Sequence, residues 1–159
     1  MKKIVTLTLA LVLVLGLTAC GGKKDGYQIE DVQAMADAGA FSEELEELDG
    51  DTAFALYGLA DSGLERTDVK ACAVLRSAGA TCEEGAVLVL SGKEKTKSAA
   101  DALRAYIDRQ IEANEDYRPA EIPKLREVYI SVKEDTVLMV VASDMDAAKR
   151  TVDGEVVTG

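Results

Sequence analysis

The sequence predicts a two-layer α+β domain, in which an antiparallel sheet of about four strands, built from two hairpins, carries helices packed on one face. Three observations lead to this fold class. Residues 69–91 have the pattern of two apolar strands around a turn that contains glycine, and residues 128–142 repeat that pattern. Between them, residues 95–114 carry apolar side chains at helical spacing. A helix that joins two hairpins is typical of such a layered domain.

The segment before the first hairpin is predicted to be helical for most of its length. Apolar side chains recur at helical spacing over residues 29–39, and Gly39 is a suitable stop. In FSEELEEL, residues 41–48, Ser42 can cap a second helix whose first turn is acidic. We interpret its acidic side chains as a solvated face, because the spacing of a calcium-binding EF-hand loop is missing. Residues 49–63 remain ambiguous between strand and helix.

The first hairpin is predicted to pair residues 69–76 with residues 82–91. The unbroken apolar run AVLVL, residues 86–90, indicates a strand at the centre of the sheet. Gly85 precedes this run, and an isolated glycine in a strand predicts a bulge.

The second half of the domain repeats the order of helix and hairpin. The helix over residues 95–114 must end before Pro119, since proline cannot continue a helix interior. Residues 128–132 alternate as a half-buried strand, and residues 137–142 form a nearly continuous apolar strand after a tight turn at Glu134-Asp135. A short helix over residues 144–152 closes the domain.

The first 19 residues have the layout of a secretory signal. Two lysines are followed by an apolar run over residues 4–17 and then by small residues. The run is shorter than the roughly 20 residues that a membrane-spanning helix needs. The alternative is a short N-terminal anchor helix that is never cleaved.

The sequence Leu17-Thr18-Ala19-Cys20 resembles the cleavage box of bacterial lipoproteins. In that family the cysteine thiol receives a diacylglyceryl group, and cleavage leaves the cysteine as the first residue. Two acyl chains are enough for stable membrane anchoring. We therefore expect lipidation at Cys20 and a location on the extracytoplasmic face of the cell membrane.

These assignments divide the chain into four parts. Residues 1–19 are the lipoprotein signal peptide, and residues 20–28 are a flexible polar tether that is rich in glycine and lysine. Residues 29–152 are a single α+β domain. Residues 153–159 are a frayed tail.

The composition bounds the chemistry. The chain has 29 acidic residues, 18 basic residues and no histidine, with a formal net charge of −11. Such a surface repels nucleic-acid phosphates, so we expect no nucleic-acid partner. Without histidine the chain lacks the commonest general base and the commonest transition-metal ligand. We expect no catalytic residue, no metal site and no cofactor.

Cys72 and Cys82 are the two cysteines of the predicted domain. Export to an oxidising compartment permits a disulfide between them, if the register of the hairpin places them opposite each other. A different register leaves two small thiols that contribute only to packing. The sequence does not decide between these alternatives.

Four side chains cluster near the end of the long helix. They could line a groove for a small molecule or a peptide; they are Arg109, Gln110, Tyr117 and Arg118. Alternatively, Tyr117 and Pro119 set the chain reversal while the arginines balance acidic neighbours. Glu83 and Glu84 are adjacent, so on a strand they point to opposite faces and cannot act together on one bond.

Several short motifs resemble a family of small bacterial lipoproteins that carry a domain of unknown function. The motifs are CEEGAVLVL with Glu84, YIDRQIEAN with Arg109 and Gln110, and DYRPAE with Tyr117, Pro119 and Glu121. The resemblance covers most of residues 29–151. Gly85 departs from the pattern, which has an aliphatic residue after the glutamate. The resemblance implies a fold and a location, and no activity.

Together these features predict a non-catalytic binding or interaction module whose partner is another protein of the cell envelope. One alternative is an accessory lipoprotein of a transporter that binds a small solute or a peptide, although such receptors usually have two lobes and about twice this length. A second alternative is an envelope hydrolase, which the missing histidine disfavours.

Overall fold

A computed structural model describes residues 25–153, which contain one antiparallel sheet of five strands in the order β1-β2-β3-β5-β4. The strands are β1 (Glu46–Glu47), β2 (Val69–Arg76), β3 (Glu84–Leu90), β4 (Tyr129–Lys133) and β5 (Thr136–Val141). The helices are α1 (Glu30–Asp37), α2 (Gly50–Leu56), α3 (Thr96–Asn114), α4 (Ile122–Arg126) and α5 (Met145–Asp153). The predicted α+β class and antiparallel sheet are confirmed, with one short edge strand, β1, beyond the two predicted hairpins.

Both predicted hairpins form. Strand β2 pairs with β3, and Arg76 lies opposite Glu84 in the last pair before the connecting loop. Strands β4 and β5 are joined by the predicted turn at Glu134-Asp135, in which Glu134 has a φ of 55°. Strand β3 lies at the centre of the sheet, as its unbroken apolar sequence predicts.

The prediction that the helices pack on one face of the sheet is wrong. On one face, Leu88 and Met139 pack in a core that includes α2, α3 and α4. On the other face, Val87 and Leu138 pack against side chains of α1 and α5. Strands β3 and β5 are apolar on both faces, so each face requires a cover, and the fold has three layers instead of two.

The predicted helix over residues 41–48 is also wrong. This segment bends at residues 41–43 and contains no helical turn, and its end forms β1 beside β2. Its polar groups bind other parts of the chain, because the Ser42 N–H donates to Glu83 at 2.8 Å and Thr81 donates its hydroxyl to Glu43 at 2.6 Å. These long-range contacts override the local helical preference. The ambiguous region after it begins with α2, capped by the Asp49 side chain.

Gly85 does not form the predicted bulge. It pairs in regular register with Leu75 and Val140, and the irregularity of the sheet lies instead between Val69 and Ala71. A Cβ at Gly85 would lie 3.0 Å from the Phe41 ring and 3.3 Å from a methyl group of Val32. Glycine at this position lets α1 and the following loop pack directly on the central strand.

The folded body begins earlier than the sequence indicates. Tyr27, in the segment assigned to the tether, is 2% exposed, and its N–H donates to the Thr136 hydroxyl at 2.8 Å. At the other end, Asp153 is part of α5 and pairs with Lys133 at 2.8 Å. Cys20, most of the predicted tether and residues 154–159 lie outside the described residues. Within residues 25–153, no helix has both the length and the hydropathy to cross a membrane.

Candidate functional site

Two adjacent carboxylates are buried at the beginning of β3. Glu83 is 0% exposed and Glu84 is 3% exposed, although glutamate is seldom buried without partners. Because successive side chains of a strand point to opposite faces, the two residues enter different environments, as the sequence predicts. Each environment supplies its own hydrogen-bond donors.

Glu84 lies among two tyrosines and an arginine, here called the Glu84 cluster. Its Oε1 accepts a hydrogen bond from the Tyr57 hydroxyl at 2.5 Å. Its Oε2 accepts from the Tyr106 hydroxyl at 2.7 Å and from Arg76 Nε at 3.1 Å. The two tyrosine rings meet edge to face, with their centroids 5.0 Å apart. Helices α2 and α3 therefore hold their tyrosines against each other and against one carboxylate.

The electrostatics of this cluster favour protonated groups. Burial raises the pKa of Glu84, and the hydrogen bonds from Tyr57, Tyr106 and Arg76 offset only part of that effect. Burial and the neighbouring Glu84 charge raise the pKa of both tyrosines. The two phenols therefore stay protonated at neutral pH and act as donors.

Glu83 lies in a different set of donors, here called the Glu83 cluster. Its Oε2 accepts from the Ser42 N–H at 2.8 Å, and both oxygens accept from the Ser42 hydroxyl at 3.0 Å. Its Oε1 also accepts from Lys124 Nζ at 3.2 Å and from the Ser143 hydroxyl. The loop after α1, the loop after β5 and helix α4 thus meet at one carboxylate.

The pKa of Glu83 shifts in the opposite direction from that of Glu84. Burial acts to raise it, but the hydrogen bonds from Ser143, Ser42 and Lys124 outweigh burial, so the pKa of Glu83 is lowered. Glu83 is therefore ionised at neutral pH and paired with a lysine whose side chain is 24% exposed.

A small cavity lies beside the Glu84 cluster. Its volume is about 10 Å³, which is room for a single water molecule. Its lining residues come from β2, the β2–β3 loop, β3, α3 and the segment that follows α3. They include Arg76, Cys82, Glu84, Tyr106, Gln110 and Arg118. Two of the four predicted binding residues, Gln110 and Arg118, thus reach one cavity, whereas Arg109 and Tyr117 do not line it.

Arg118 holds the β2–β3 loop. Its Nη1 donates to the Gly79 carbonyl at 2.7 Å and to the Thr81 carbonyl at 2.9 Å, and its Nε donates to Asn114 at 2.8 Å. Tyr117 is 81% exposed. The guanidinium carbon of Arg109 lies 6.0 Å from the Tyr106 ring centroid. Arg118 therefore contributes to loop structure, and its guanidinium carbon also lies 5.8 Å from the centroid of the Tyr117 ring.

The two cysteines of the domain are free thiols. Cys72 lies opposite Leu88 in the β2–β3 register, whereas Cys82 lies in the loop beyond the Arg76–Glu84 pair. At about 3.4 Å per residue, this places them on the order of 20 Å apart along the hairpin, too far for a disulfide. Burial raises the pKa of both thiols, so neither is activated as a nucleophile.

A groove of about 260 Å³ lies between α1 and β2 at one edge of the sheet. Ile29, Val32 and Leu75 contribute apolar surface, and Glu30 and Glu47 are the acidic residues that line it. This volume is slightly below that of typical small-molecule sites, and the groove is open to solvent.

Sequence reasoning missed most donors around the two glutamates. Tyr57 and Tyr106 occur in apolar stretches that indicate core positions and nothing more. Arg76 could have been identified from the hairpin register, since it pairs directly with Glu84. Within the described part of the chain, no three His, Cys, Asp or Glu side chains are grouped so that they could hold a metal ion.

Comparison with known proteins identifies a family. A family model described as a domain of unknown function, DUF4358, matches residues 37–142. No curated protein and no solved structure matches the chain. The predicted resemblance to a domain-of-unknown-function family is confirmed, whereas its description as a lipoprotein family is not part of that match. The matched residues run from the end of α1 to the residue after β5, and they include both glutamates and all of their described donors except Ser143. The chain belongs to the DUF4358 family.

Proposed function

We propose that the protein is a non-catalytic binding module, anchored by a lipid on Cys20 at the outer face of the cell membrane, which acts by contact with another protein of the cell envelope. The observation that carries the non-catalytic assignment is the engagement of both buried carboxylates. Glu83 and Glu84 accept hydrogen bonds from seven side-chain or backbone donors of the protein itself. Carboxylates whose oxygens are occupied by donors of the fold itself are not presented to a substrate.

The N-terminal sequence supports the anchor. Residues 4–17 are apolar apart from two threonines and a glycine, and LTAC follows directly. Tyr27, which is buried in the domain, stands only seven residues after Cys20. Seven extended residues span at most about 25 Å, so a lipid on Cys20 would keep the domain close to the bilayer.

The anchor is tested on protein purified from its own host. We expect mass spectrometry to identify Cys20 as the N-terminal residue, with two acyl chains on its thiol. Cys20→Ser should prevent the modification and reduce membrane-bound protein, whereas Cys72→Ser should leave both unchanged. An intact Met1 terminus, or an unmodified thiol at Cys20, would contradict the anchor.

The non-catalytic assignment is tested separately. If both carboxylates act only in the fold, Glu83→Gln and Glu84→Gln should affect partner capture in intact cells only in proportion to their loss of folded protein. A variant that folds fully, as judged by circular dichroism and thermal unfolding, and yet abolishes a biological activity of the protein would contradict it.

The groove between α1 and β2 favours a second candidate function, the binding of a short peptide as an accessory protein of a transporter. Its apolar side chains and its acidic residues, Glu30 and Glu47, suit a peptide with apolar and basic residues. In a titration with such a peptide, amide NMR shifts should change at Val32 and Leu75 and not at Tyr129. Shifts spread over the whole surface, or no shifts at millimolar peptide, would exclude this candidate.

A further inference from the structure

The groove between α1 and β2 is longer than its first 260 Å³. A second cavity, of about 320 Å³, follows it along α1, and the two cavities share the lining residues Gln33 and Leu75. Glu30, the first residue of α1, lines one cavity, and Asp37, the last residue of α1, lines the other. At 1.5 Å per residue these two residues stand about 10 Å apart. The two cavities therefore form one groove along the whole of α1, here called the α1 groove.

Every charged side chain that lines the α1 groove is acidic. These side chains are Glu30, Asp37, Glu43, Glu44 and Glu47. In the described part of the chain none of them belongs to an ion pair, whereas Asp51, Asp68 and Asp101 each pair with a basic side chain. Carboxylates gathered along one groove repel one another, and a cation bound between them removes that repulsion. The α1 groove is therefore complementary to positive charge.

Apolar side chains lie between these carboxylates. Val32 and Leu75 line the first cavity, and Leu45 lines the second together with Leu75. Ile29, before the first turn of α1, is 38% exposed and is one of the few large apolar side chains that reach solvent in the described structure. A ligand that fills the groove must therefore cover apolar surface as well as supply positive charge.

The α1 groove also reaches the backbone edge of β2. Residues 72–75 all line it, although successive side chains of a strand point to opposite faces. The Leu48 N–H donates to the Val74 carbonyl at 3.0 Å, so by alternation the N–H and carbonyl of Cys72 point toward the same edge, beyond the end of β1. No hydrogen-bond partner for these two groups occurs among residues 25–153. Groups of this kind pair with the backbone of an extended peptide.

We propose that the α1 groove binds an extended segment of a partner protein, in which two lysine or arginine residues flank an apolar residue. The basic side chains pair with carboxylates at the two ends of the groove, and the apolar side chain packs between them on Leu75. In an extended chain, about 10 Å corresponds to three residues, so we expect the two basic residues three positions apart. The proposal rests on the peptide-binding function of the same groove and names the chemistry of the peptide.

The charge of the groove disfavours two other occupants. Anionic lipid headgroups are repelled by the acidic lining. A second copy of this chain carries the same formal net charge of −11, so its approach is opposed by long-range repulsion. A basic segment is attracted instead, and attraction of this kind raises the rate of association and weakens as salt is added.

The first test is a titration of the detergent-solubilised full chain with three capped hexapeptides, followed by amide NMR. In the probe peptide two lysines, three positions apart, flank a valine, and the two control peptides carry glutamine or glutamate in place of both lysines. We expect the lysine peptide to shift the amides of Val32, Gln33 and Leu75, and to bind about fivefold more tightly than the glutamine peptide. The glutamate peptide should cause no shifts.

The outcomes separate this proposal from the function on which it rests. Equal affinities of the lysine and glutamine peptides would overturn the basic occupant and leave the peptide-binding function standing. No shifts with any of the three peptides at millimolar concentration would overturn both.

The second test removes charge from both cavities. E44Q/E47Q should weaken binding of the lysine peptide about fivefold and leave binding of the glutamine peptide unchanged. Both residues are exposed and lie outside the described ion pairs, so thermal unfolding should be that of the unmodified chain. The matched control is E112Q/E115Q, which makes the same change of charge at two exposed positions at the end of α3 and should leave both affinities unchanged. Equal weakening by the two double variants would assign the effect to net charge and overturn the site.

The third test identifies the occupant in intact cells. A benzophenone amino acid in place of Gln33, which is exposed and lines both cavities, should crosslink the full chain to a different protein. We expect mass spectrometry to map the crosslink to a segment with lysine or arginine on both sides of an apolar residue. The same amino acid in place of Glu112 should not capture that segment. Crosslinks only to a second copy, to the chain itself or to an acidic segment would overturn the proposal, as would the absence of a crosslink.

Discussion

Glu83 and Glu84 are neighbours on one strand and both are buried, yet their environments differ in kind. Glu83 is held by an ammonium group, a backbone N–H and two hydroxyls from three separate segments. Glu84 is held by two phenols and one guanidinium at the junction of α2, α3 and β2. The pKa of Glu83 is lowered and that of Glu84 is raised.

The difference shows that burial alone does not set the charge state of a carboxylate. Burial raises the pKa of both residues, and the number and charge of the donors decide whether that effect is overcome. At Glu83 the donors are sufficient, so the ionised form is the stable one. At Glu84 they are not, so burial still disfavours its ionised form.

The largest expected effect is the loss of the charge at Glu83. Glu83→Gln should lower the free energy of unfolding by about 3 kcal/mol, because the amide has only one acceptor oxygen for the donors of Ser42, Ser143 and Lys124. Glu84→Gln is the matched control on the same strand, and we expect a change below about 1 kcal/mol in either direction. Urea unfolding measures both. Equal losses would mean that the two clusters are energetically alike.

The next effect is the loss of one phenol at Glu84. Tyr57→Phe removes the one described donor to Oε1 and should cost about 2 kcal/mol, since a buried acceptor is then left without a partner. Tyr106→Phe should cost about 1 kcal/mol, because Arg76 still donates to Oε2. Thermal unfolding of the two variants checks this order. A larger loss for Tyr106→Phe would show that ring packing outweighs the hydrogen bonds.

The two glutamates should give opposite dependences of stability on pH. The lowered pKa of Glu83 provides stability above its ordinary value of 4.5, which is lost as the pH falls through the folded-state pKa. The raised pKa of Glu84 has the reverse effect, since stability is present below 4.5 and is lost as the pH rises through the folded-state pKa.

This dependence is measured by urea unfolding at a series of pH values. At acidic pH, the free energy of unfolding that Glu83→Gln removes should be smaller by on the order of 1 kcal/mol. Glu84→Gln should gain stability relative to the unmodified chain as the pH rises above 4.5. Parallel curves for the two variants would contradict the opposite pKa directions.

The smallest effect is expected at Arg118, which holds the loop leading into both glutamates. Arg118→Ala should cost less than about 1 kcal/mol and should affect both clusters equally, because the donors to the glutamates remain in place. Hydrogen exchange at Thr81 and Cys82 should accelerate. Arg109→Ala, also on an exposed part of this region, should leave that exchange unchanged and so serves as the control.

Most of the sheet could be predicted from the sequence, but the arrangement of the helices on its two faces could not. The limits of β2 and the position of the turn at Glu134-Asp135 follow from local patterns, and both are correct. There are two helical layers because both faces of β3 are apolar. The sequence of β3 shows this property, but it does not identify which helix covers which face. The non-helical course of residues 41–48 depends on Glu83, 41 residues away from Ser42.

The candidate site was predictable only in part, for the same reason. Glu84 lies in the short motif CEEGAVLVL, whereas its two tyrosine donors come from helices whose docking no local pattern determines. The separation of Cys72 from Cys82 required the hairpin register, which the sequence left open. Arg118 was predicted for a groove and not for its contacts with the β2–β3 loop, and the three donors to Glu84 were missed.

Both limits of the folded body meet at Lys133. Its ammonium group lies 4.6 Å from the centroid of the Tyr27 ring and 2.8 Å from Asp153. A short linker between these two places, with new chain ends opened at the exposed Gly63, would give a circular permutant with every strand pairing retained. The arrangement of strands and helices in this fold therefore does not depend on the order in which they follow one another along the chain.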